Sequence, residues 1–464
     1  MSKYTTKPEA VPSRAHNKYE RYSLRENPFP VNPIINPDSP DDRMNGVIYD
    51  PSIRTAEYDK VVSNFIKVPQ TEPNHLRLGY IVDTSYIGRG NGKSAFIVNL
   101  QKEINRDFAL TLSQSQNKCF AVRLRPEGGG SIKTFERFIE LFVDELFDSH
   151  IIADALVALR LSAILAIDET FDADQHFTTD DDYRDKLSQM EWYRDNRLDY
   201  RHINHRILSN EYIQSLPPDF PLFQDNRLFG RVSNESTFRD YFVSLRRGKP
   251  KSEFVFSHLV NMFIAAGFNG AYVFVDDFER IPDFQSGRQK RDFATQLRTF
   301  VFDGSYTNAS IGFYNFILVL HAGVQGMIQE AWELSGLEHR APLPHQGAAN
   351  APSHIIFFNK ITTENTYSLI GKYLESYRIT KMDESDMLFP FSRETVSRLA
   401  EINEYNCTKI LKSAYEVLKK AADNNISPIT PDMIVADEDD ISDDLGNRLT
   451  GIHNAPTKNL LDEE

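Results

Sequence analysis

A chain of 464 residues is longer than one hydrophobic core usually supports, so one large unit, a smaller one and tails are expected. Hydrophobic content of 41% and charged content of 25% are those of an ordinary soluble protein, and no stretch approaches the roughly 18 apolar residues of a membrane helix, which excludes a helical membrane protein. The formal net charge of −14 excludes a uniformly basic surface; part of it is concentrated in Asp437, Glu438, Asp439, Asp440, Asp443 and Asp444, so nucleic acid binding would need a local patch.

The start, Met1 to Asn17, is polar, with no apolar run and no small-residue cleavage site, so a cytoplasmic location without membrane contact is expected. Residues 1–51 carry Pro28, Pro30, Pro33, Pro37 and Pro40, which prevent a continuous helix and predict an extended arm. Its segment Tyr22-Ser-Leu-Arg-Glu-Asn-Pro-Phe29 has apolar anchors that would pack it on the core. The core is expected over 52–359, opening with a helix at about 53–66. The apolar run Leu76 to Val82 predicts a buried strand, ended by Asp83 and a glycine loop, with a helix from Lys93 to Asn105. A strand at Cys119–Leu124, a helix near 132–147 and a further apolar helix at 151–167 follow. Cys119 and Cys407 read as small hydrophobes in a strand and a helix, with no disulfide framework.

A polar, aromatic-rich insertion at about 168–250 breaks the alternation and is expected to be mostly helical. The rhythm resumes with a helix at 253–266, a strand at 271–275, a helix at 287–302 and strands at 316–321 and 355–358. Such alternation predicts a parallel sheet covered by helices on both faces, an α/β fold of αβα sandwich type. Helices at 364–376, 393–402 and 408–422 predict a C-terminal all-α unit over 360–434. An acidic tail at 435–464, expected to be disordered, ends the chain.

Gly90-Asn-Gly-Lys-Ser94 has the composition of a phosphate-binding loop. Glycines allow backbone N–H groups to approach phosphate oxygens, a lysine reaches the β and γ phosphates, and a serine hydroxyl holds Mg2+. A strict P-loop has a further glycine where this chain has Ile87; Gly88 is displaced by one. The expected ligand contacts are Gly88, Arg89, Gly90, Asn91, Gly92, Lys93, Ser94 and Ala95, with ATP and Mg2+ bound. Tyr272-Val-Phe-Val-Asp-Asp277 is an apolar strand ending in two acids, the form of a Walker B segment. Asp276 would orient Mg2+ together with Ser94, and the next acid would polarise water. Asp277 is favoured as the base over Glu279.

With these residues in place, the chain resembles the AAA+ P-loop ATPases, in the group of origin-recognition and initiator proteins, transposition regulators and phage-exclusion ATPases. The segment Tyr22 to Phe29 is similar to an opening phrase of that group, and 360–434 to its helical lid. The resemblance implies a sensor role for His321 at the end of strand 316–321 and a trans-acting arginine finger at Arg340. It also implies a sensor-2 arginine where this chain has Thr408, with Lys409 beside it as a substitute; Asn406 matches the turn before it. It further implies a homo-oligomer with a protein partner, DNA contact through Arg288, Lys290, Arg291 and Arg298, and a role in phage defence or mobile-element control.

A second reading is a nucleotide-dependent switch or scaffold with little hydrolysis, favoured by Ile87 and Thr408; a third, a membrane-associated motor, lacks a membrane-binding segment. His202 and His205 could share a helical face, but no third ligand stands near them in sequence.

Overall fold

The computed structural model describes residues 17–68, 76–84, 90–127, 129–225, 230–321, 323–344, 352–383 and 386–434. Ile87, Gly88, Arg89 and the acidic tail lie outside them. The chain divides into two compact units: Ile35–Asp38 with Arg54–Lys360, and Met1–Ile34 with Ser39–Ile53 and Ile361–Glu464.

The larger unit is built on five parallel strands. They are β1 (Leu78–Asp83), β2 (Cys119–Leu124), β3 (Gly270–Val275), β4 (Tyr314–Leu320) and β5 (Ile355–Phe358), in the order β2-β3-β4-β1-β5. All but Phe357 of their residues are buried, as expected of a parallel sheet covered on both faces. Alternation decides the layers. Ile81, Ala121, Phe274, Val319 and Phe358 share a core with helices α1 (Thr55–Val61) and α2 (Lys93–Arg106). Tyr80, Val82, Val122, Val273 and Leu318 share a second, larger core. Its residues come from α3 (Phe135–Asp148), α4 (Ile151–Ile167), the helices of the insertion, α12 (Leu259–Ala265), α13 (Gly287–Val301) and α15 (Val324–Ser335), while the short helices α11 (Lys249–Glu253) and α14 (Thr307–Ile311) lie against α3 and α13.

The structure differs from the expected elements in a few places. The helix expected from residue 253 begins at Lys249, where Pro250 stands in the first turn and needs no N–H partner there, and it passes through a π-turn at Phe254–His258 before α12. Strand β4 ends at Leu320, leaving His321 just past it. Helices α14 and α15 have no counterpart in the sequence reading, although α15 buries Ile328 and Trp332 and ends on Gly336 in the left-handed region.

The insertion comprises α5 (Asp180–Leu187), α6 (Met190–Asp195), α7 (Tyr200–Leu208), α8 (Glu211–Gln214), α9 (Pro221–Gln224) and α10 (Glu235–Ser244). It belongs to the larger core through Leu187, Tyr193, Tyr200 and Ile203. A buried polar network fixes it. Arg160 of α4 donates to the carbonyls of Leu187 and Ser233 and lies 3.9 Å from Asp225. Asp225 accepts from Tyr200 Oη at 2.5 Å and from Ser233 Oγ at 2.9 Å.

The smaller unit contains α16 (Thr363–Ser376), α17 (Arg393–Ile402) and α18 (Cys407–Asp423). The N-terminal segment packs here: Tyr22, Leu24, Phe29 and Ile48 share one buried cluster with Ile370, Leu374, Val396, Leu399, Ile410 and Leu418. The anchors read in the sequence thus serve the helical unit's core, not the sheet. Phe29 lies 6.0 Å from both Tyr373 and Phe391, and Tyr22 Oη donates to the Ile426 carbonyl.

Arg160→Met should test the insertion network. Removing one partner of a buried ion pair leaves Asp225 uncompensated, so a loss of about 3–5 kcal/mol in urea unfolding is expected. A loss below about 1 kcal/mol would mean that burial, which already raises the Asp225 pKa, keeps it protonated and the cation dispensable.

Candidate functional site

Strand order selects where a ligand would sit. The connection from β1 through α2 runs to β2 at one edge, whereas those from β2 to β3, β3 to β4 and β4 to β5 run the opposite way. Right-handed crossovers therefore send α2 to one face and the other connections to the opposite face, as the two cores show. Crevices in open parallel sheets form at the carboxyl ends of strands where this direction reverses, here between β1 and β4. Val82 is paired with Leu320, so Asp83 and His321 leave their strands side by side.

The loop side of this rim comes from β1 and α2. Gly90 and Gly92 have φ of 117° and 83°, angles at which a side chain would be strained, and Gly92 caps α2. Lys93 opens the helix, and its buried ammonium is ion-paired with the buried carboxylate of Asp83. Asp83 also accepts from Asn91 Nδ2 at 3.0 Å. Asn91 is held in turn by Arg54, whose guanidinium donates to its carbonyl at 2.7 Å and to that of Asn359 at 2.8 Å, and pairs with Glu57 at 3.1 Å. Ser94 Oγ donates to Asp276 Oδ1 at 3.3 Å, and Ala95 follows in the first turn. The other oxygen of Asp276, Oδ2, receives Arg123 of β2, through Nη2 at 2.8 Å and Nε at 3.1 Å. Both side chains are buried.

The acid side comes from the turn after β3. Asp277 adopts a left-handed φ of 49°, and its Oδ2 lies 2.6 Å from Arg280. Glu279, buried in the following turn, places Oε1 2.9 Å from His321 Nε2; Asp277 Oδ1 is 3.6 Å from the same nitrogen. The other ring nitrogen, Nδ1, lies 3.2 Å from Asp83 and 3.3 Å from Lys93. Burial alone would lower the His321 pKa, but hydrogen bonds to Asp277, Asp83 and Glu279 override it, and the pKa is raised to about 10 despite the nearby Lys93 charge. His321 is therefore an imidazolium at neutral pH, a fixed cation and not a base. Burial would raise the Asp83 pKa, but His321, Lys93 and Asn91 hold it below the usual carboxylate range.

The structure thus joins Asn91, Lys93, Ser94, Asp276, Asp277, Glu279 and His321 in one place. Gly90, Gly92 and Ala95 belong to the same loop and helix start, Gly88 and Arg89 lie outside the described residues, and Lys409 belongs to the smaller unit. Arg340 is exposed in the turn after α15, beside a cavity of about 540 Å3 lined by Arg298, Asp303, Gly336 and His339. The Tyr80 hydroxyl donates to the Ala341 carbonyl, and Arg340 lies near enough to Arg77, just before β1, to depress its pKa after burial has done so. That is the amino end of the strands, a strand length of roughly 20 Å from the rim. The four basic residues of α13 do not form one face. Lys290 turns inward to the Met327 carbonyl at 3.1 Å, Arg298 binds Asp303 and the Ser335 carbonyl, Arg288 lies 3.7 Å from Asp292, and Arg291 is exposed. Lys409 sits in the first turn of α18, its N–H donating to the Asn406 side chain, so Asn406 is the helix cap of the smaller unit. His202 and His205 are both exposed on α7.

Asp83 and Arg123 are among the charged residues of the site that were not singled out in the sequence, with Arg280, Arg54 and Glu57 beside them. Asp83 ends an apolar strand just as Asp276 does, and Arg123 is a charge inside the apolar run Cys119 to Leu124, where burial demands a partner. Chemically, the rim offers glycine backbone at a helix N-terminus, two buried cations and a set of carboxylates. Ser94 Oγ and Asp276 Oδ1 are hard oxygen donors of the kind that suits Mg2+. Among the described residues no single helix is long and apolar enough to cross a membrane; the pair α3 and α4 passes by composition only, bent by 55°, with most of its apolar residues in the larger core. Comparison with protein-family models, with curated proteins and with solved structures returns no match.

The His321 contacts carry a pH dependence. Because the folded pKa lies above the ordinary 6.5, the stabilisation is fully present below about 6.5 and is lost as pH rises through about 10. The stability gap between wild type and His321→Asn in urea unfolding should therefore be widest near pH 6 and shrink toward pH 10. A gap independent of pH would mean that the ring is neutral throughout.

Proposed function

We propose that this chain binds ATP with Mg2+ at the β1–β4 rim and hydrolyses it, as a AAA+-like ATPase whose helical C-terminal unit is its lid. The observation that carries this reading is the convergence of Lys93 and Ser94, at the start of α2, with Asp276 from β3 and His321 from β4. These are the positions at which a phosphate-binding loop and a Walker B strand end are required to meet. The absence of any match leaves the family assignment resting on these motifs.

The residues divide the work by their surroundings. Gly90, Gly92 and the N-terminus of α2 receive phosphate oxygens, and Lys93 exchanges Asp83 for the β and γ phosphates. Gly88 and Arg89 belong to the same loop by sequence. Ser94 and Asp276 hold Mg2+, which when bound neutralises phosphate charge. His321, already cationic, faces the transferred phosphoryl group. Asp277 is the base: its side chain is 20% exposed against 6% for Glu279, so water reaches it more readily, while Glu279 orients His321.

Arg340, at the opposite end of the strands, cannot act on this chain's own nucleotide and is assigned to a second copy's, where a guanidinium stabilises developing charge. Lys409 takes the sensor-2 place in the lid. The output is nucleotide-dependent assembly with itself, with a protein partner or with DNA, in phage defence or mobile-element control as the sequence resemblance suggests. A second reading, a switch that binds ATP but scarcely turns it over, is favoured by the Asp83 hold on Lys93 and the Arg280 hold on Asp277, which keep both groups engaged.

Lys93→Ala should abolish binding of a fluorescent ATP analogue, and retained affinity would remove the phosphate-site assignment. Asp277→Asn should keep ATP binding near normal and eliminate turnover; normal hydrolysis by that variant would move the base to Glu279. In wild type, turnover per chain should climb with protein concentration, and Arg340→Ala should flatten that rise without weakening ATP binding. Negligible turnover at every concentration, with nucleotide bound, would establish the switch.

A further inference from the structure

The Arg123–Asp276 pair does something that nucleotide binding alone does not require. Asp276 is buried, and each of its oxygens is already used: Oδ1 by the Ser94 hydroxyl at 3.3 Å and the Asp277 N–H at 3.1 Å, Oδ2 by two nitrogens of Arg123. Arg123 comes from the edge strand β2, and its side chain is 7% exposed. It lies on the sheet face that carries α2, because Cys119 and Ala121, four and two residues earlier on the same strand, pack with that helix. A guanidinium thus stands on one side of Asp276, and the hydroxyl that would ligate a metal stands on the other.

We infer that Arg123 is a positioning residue that serves as the resting counter-charge of Asp276, so that Mg2+ enters the site only together with nucleotide. A buried carboxylate attracts a divalent cation strongly when its charge is uncompensated. Arg123 supplies that compensation through two N–H donors to Oδ2 and fixes the carboxylate plane so that Oδ1 faces Ser94. Mg2+ arriving alone meets a neutral pair and the repulsion of the guanidinium. Mg2+ arriving on a triphosphate brings its own negative charge and needs only the orientation of Oδ1. The inference takes its meaning from the nucleotide reading, but its test does not depend on nucleotide.

Mg2+ alone is titrated against wild type, Arg123→Gln and the Arg123→Gln/Asp276→Asn double variant, each a full chain without nucleotide, with thermal unfolding as the readout. Wild type should not respond. Arg123→Gln should have a lower midpoint without metal and recover roughly 2–4 °C as Mg2+ saturates, because the cation replaces the lost charge. The double variant, in which neither charge remains, should again be indifferent. Arg123→Lys, which keeps a charge on a shorter reach, should give a partial response if the glutamine variant does not fold. Mg2+ stabilisation of wild type that disappears in Asp276→Asn would overturn the inference, as would an Arg123 variant that responds no more than wild type. If Arg123→Gln gains the response but no form binds ATP, the nucleotide reading fails and the counter-charge stands; the reverse result separates them the other way.

Discussion

A carboxylate buried at the end of a parallel strand has to be compensated, and Asp83 is the one around which this site is organised. Its burial would drive it toward the neutral acid, yet it remains below its ordinary pKa because Lys93, His321 and Asn91 all address it. That requirement fixes the ammonium of Lys93 at the start of α2, draws the His321 ring across from β4 and anchors Asn91 between the two glycines. His321, once charged, then calls for acids on its far side, which Glu279 and Asp277 supply. One uncompensated charge thus propagates into an arrangement of neighbours on three strands.

The rim closes electrically. Lys93, His321, Arg123 and Arg280 stand against Asp83, Asp276, Asp277 and Glu279, each cation within ion-pair distance of at least one acid. Such a set is self-sufficient without ligand, which accounts for ordered buried charges in a site that would otherwise repel itself. A polyanion entering it must exchange partners and not merely add to them. The coupling is therefore built in: when Lys93 leaves Asp83, the field at His321 changes, and through His321 the contacts of Glu279 and Asp277 change as well.

Much of this was legible in the sequence. Alternating apolar runs located all five strands because parallel strands buried on both faces carry little else. Gly90 to Ser94 and Asp276-Asp277 could be picked out because their residue types are restricted by local backbone and charge. Asp83 and Arg123 were passed over because their roles exist only across strands: the topology places β4 and not β3 beside β1, and single-sequence spacing does not contain that order. On α13 the spacing of basic residues and their packing differ for a related reason. Helical spacing puts Arg288, Arg291 and Arg298 together, but Lys290 turns toward α15, a helix that the sequence reading did not recognise, and Arg298 is tied down by Asp303 and the end of that same helix. The N-terminal anchors were correctly seen as buried, but which core would receive them depended on contacts nearly the whole chain length away.

Helix α15 leaves the site rim directly after β4 and returns the chain to the amino ends of the strands, where Arg340 is displayed. A second copy that brought its Arg340 to the first copy's rim would join two different surfaces, one from each end of the sheet. Such contacts are heterologous: a two-fold dimer, which pairs a surface with itself, does not make them, and repetition leads to a closed ring or an open filament. The polarity of any such array would be set by the direction of the strands.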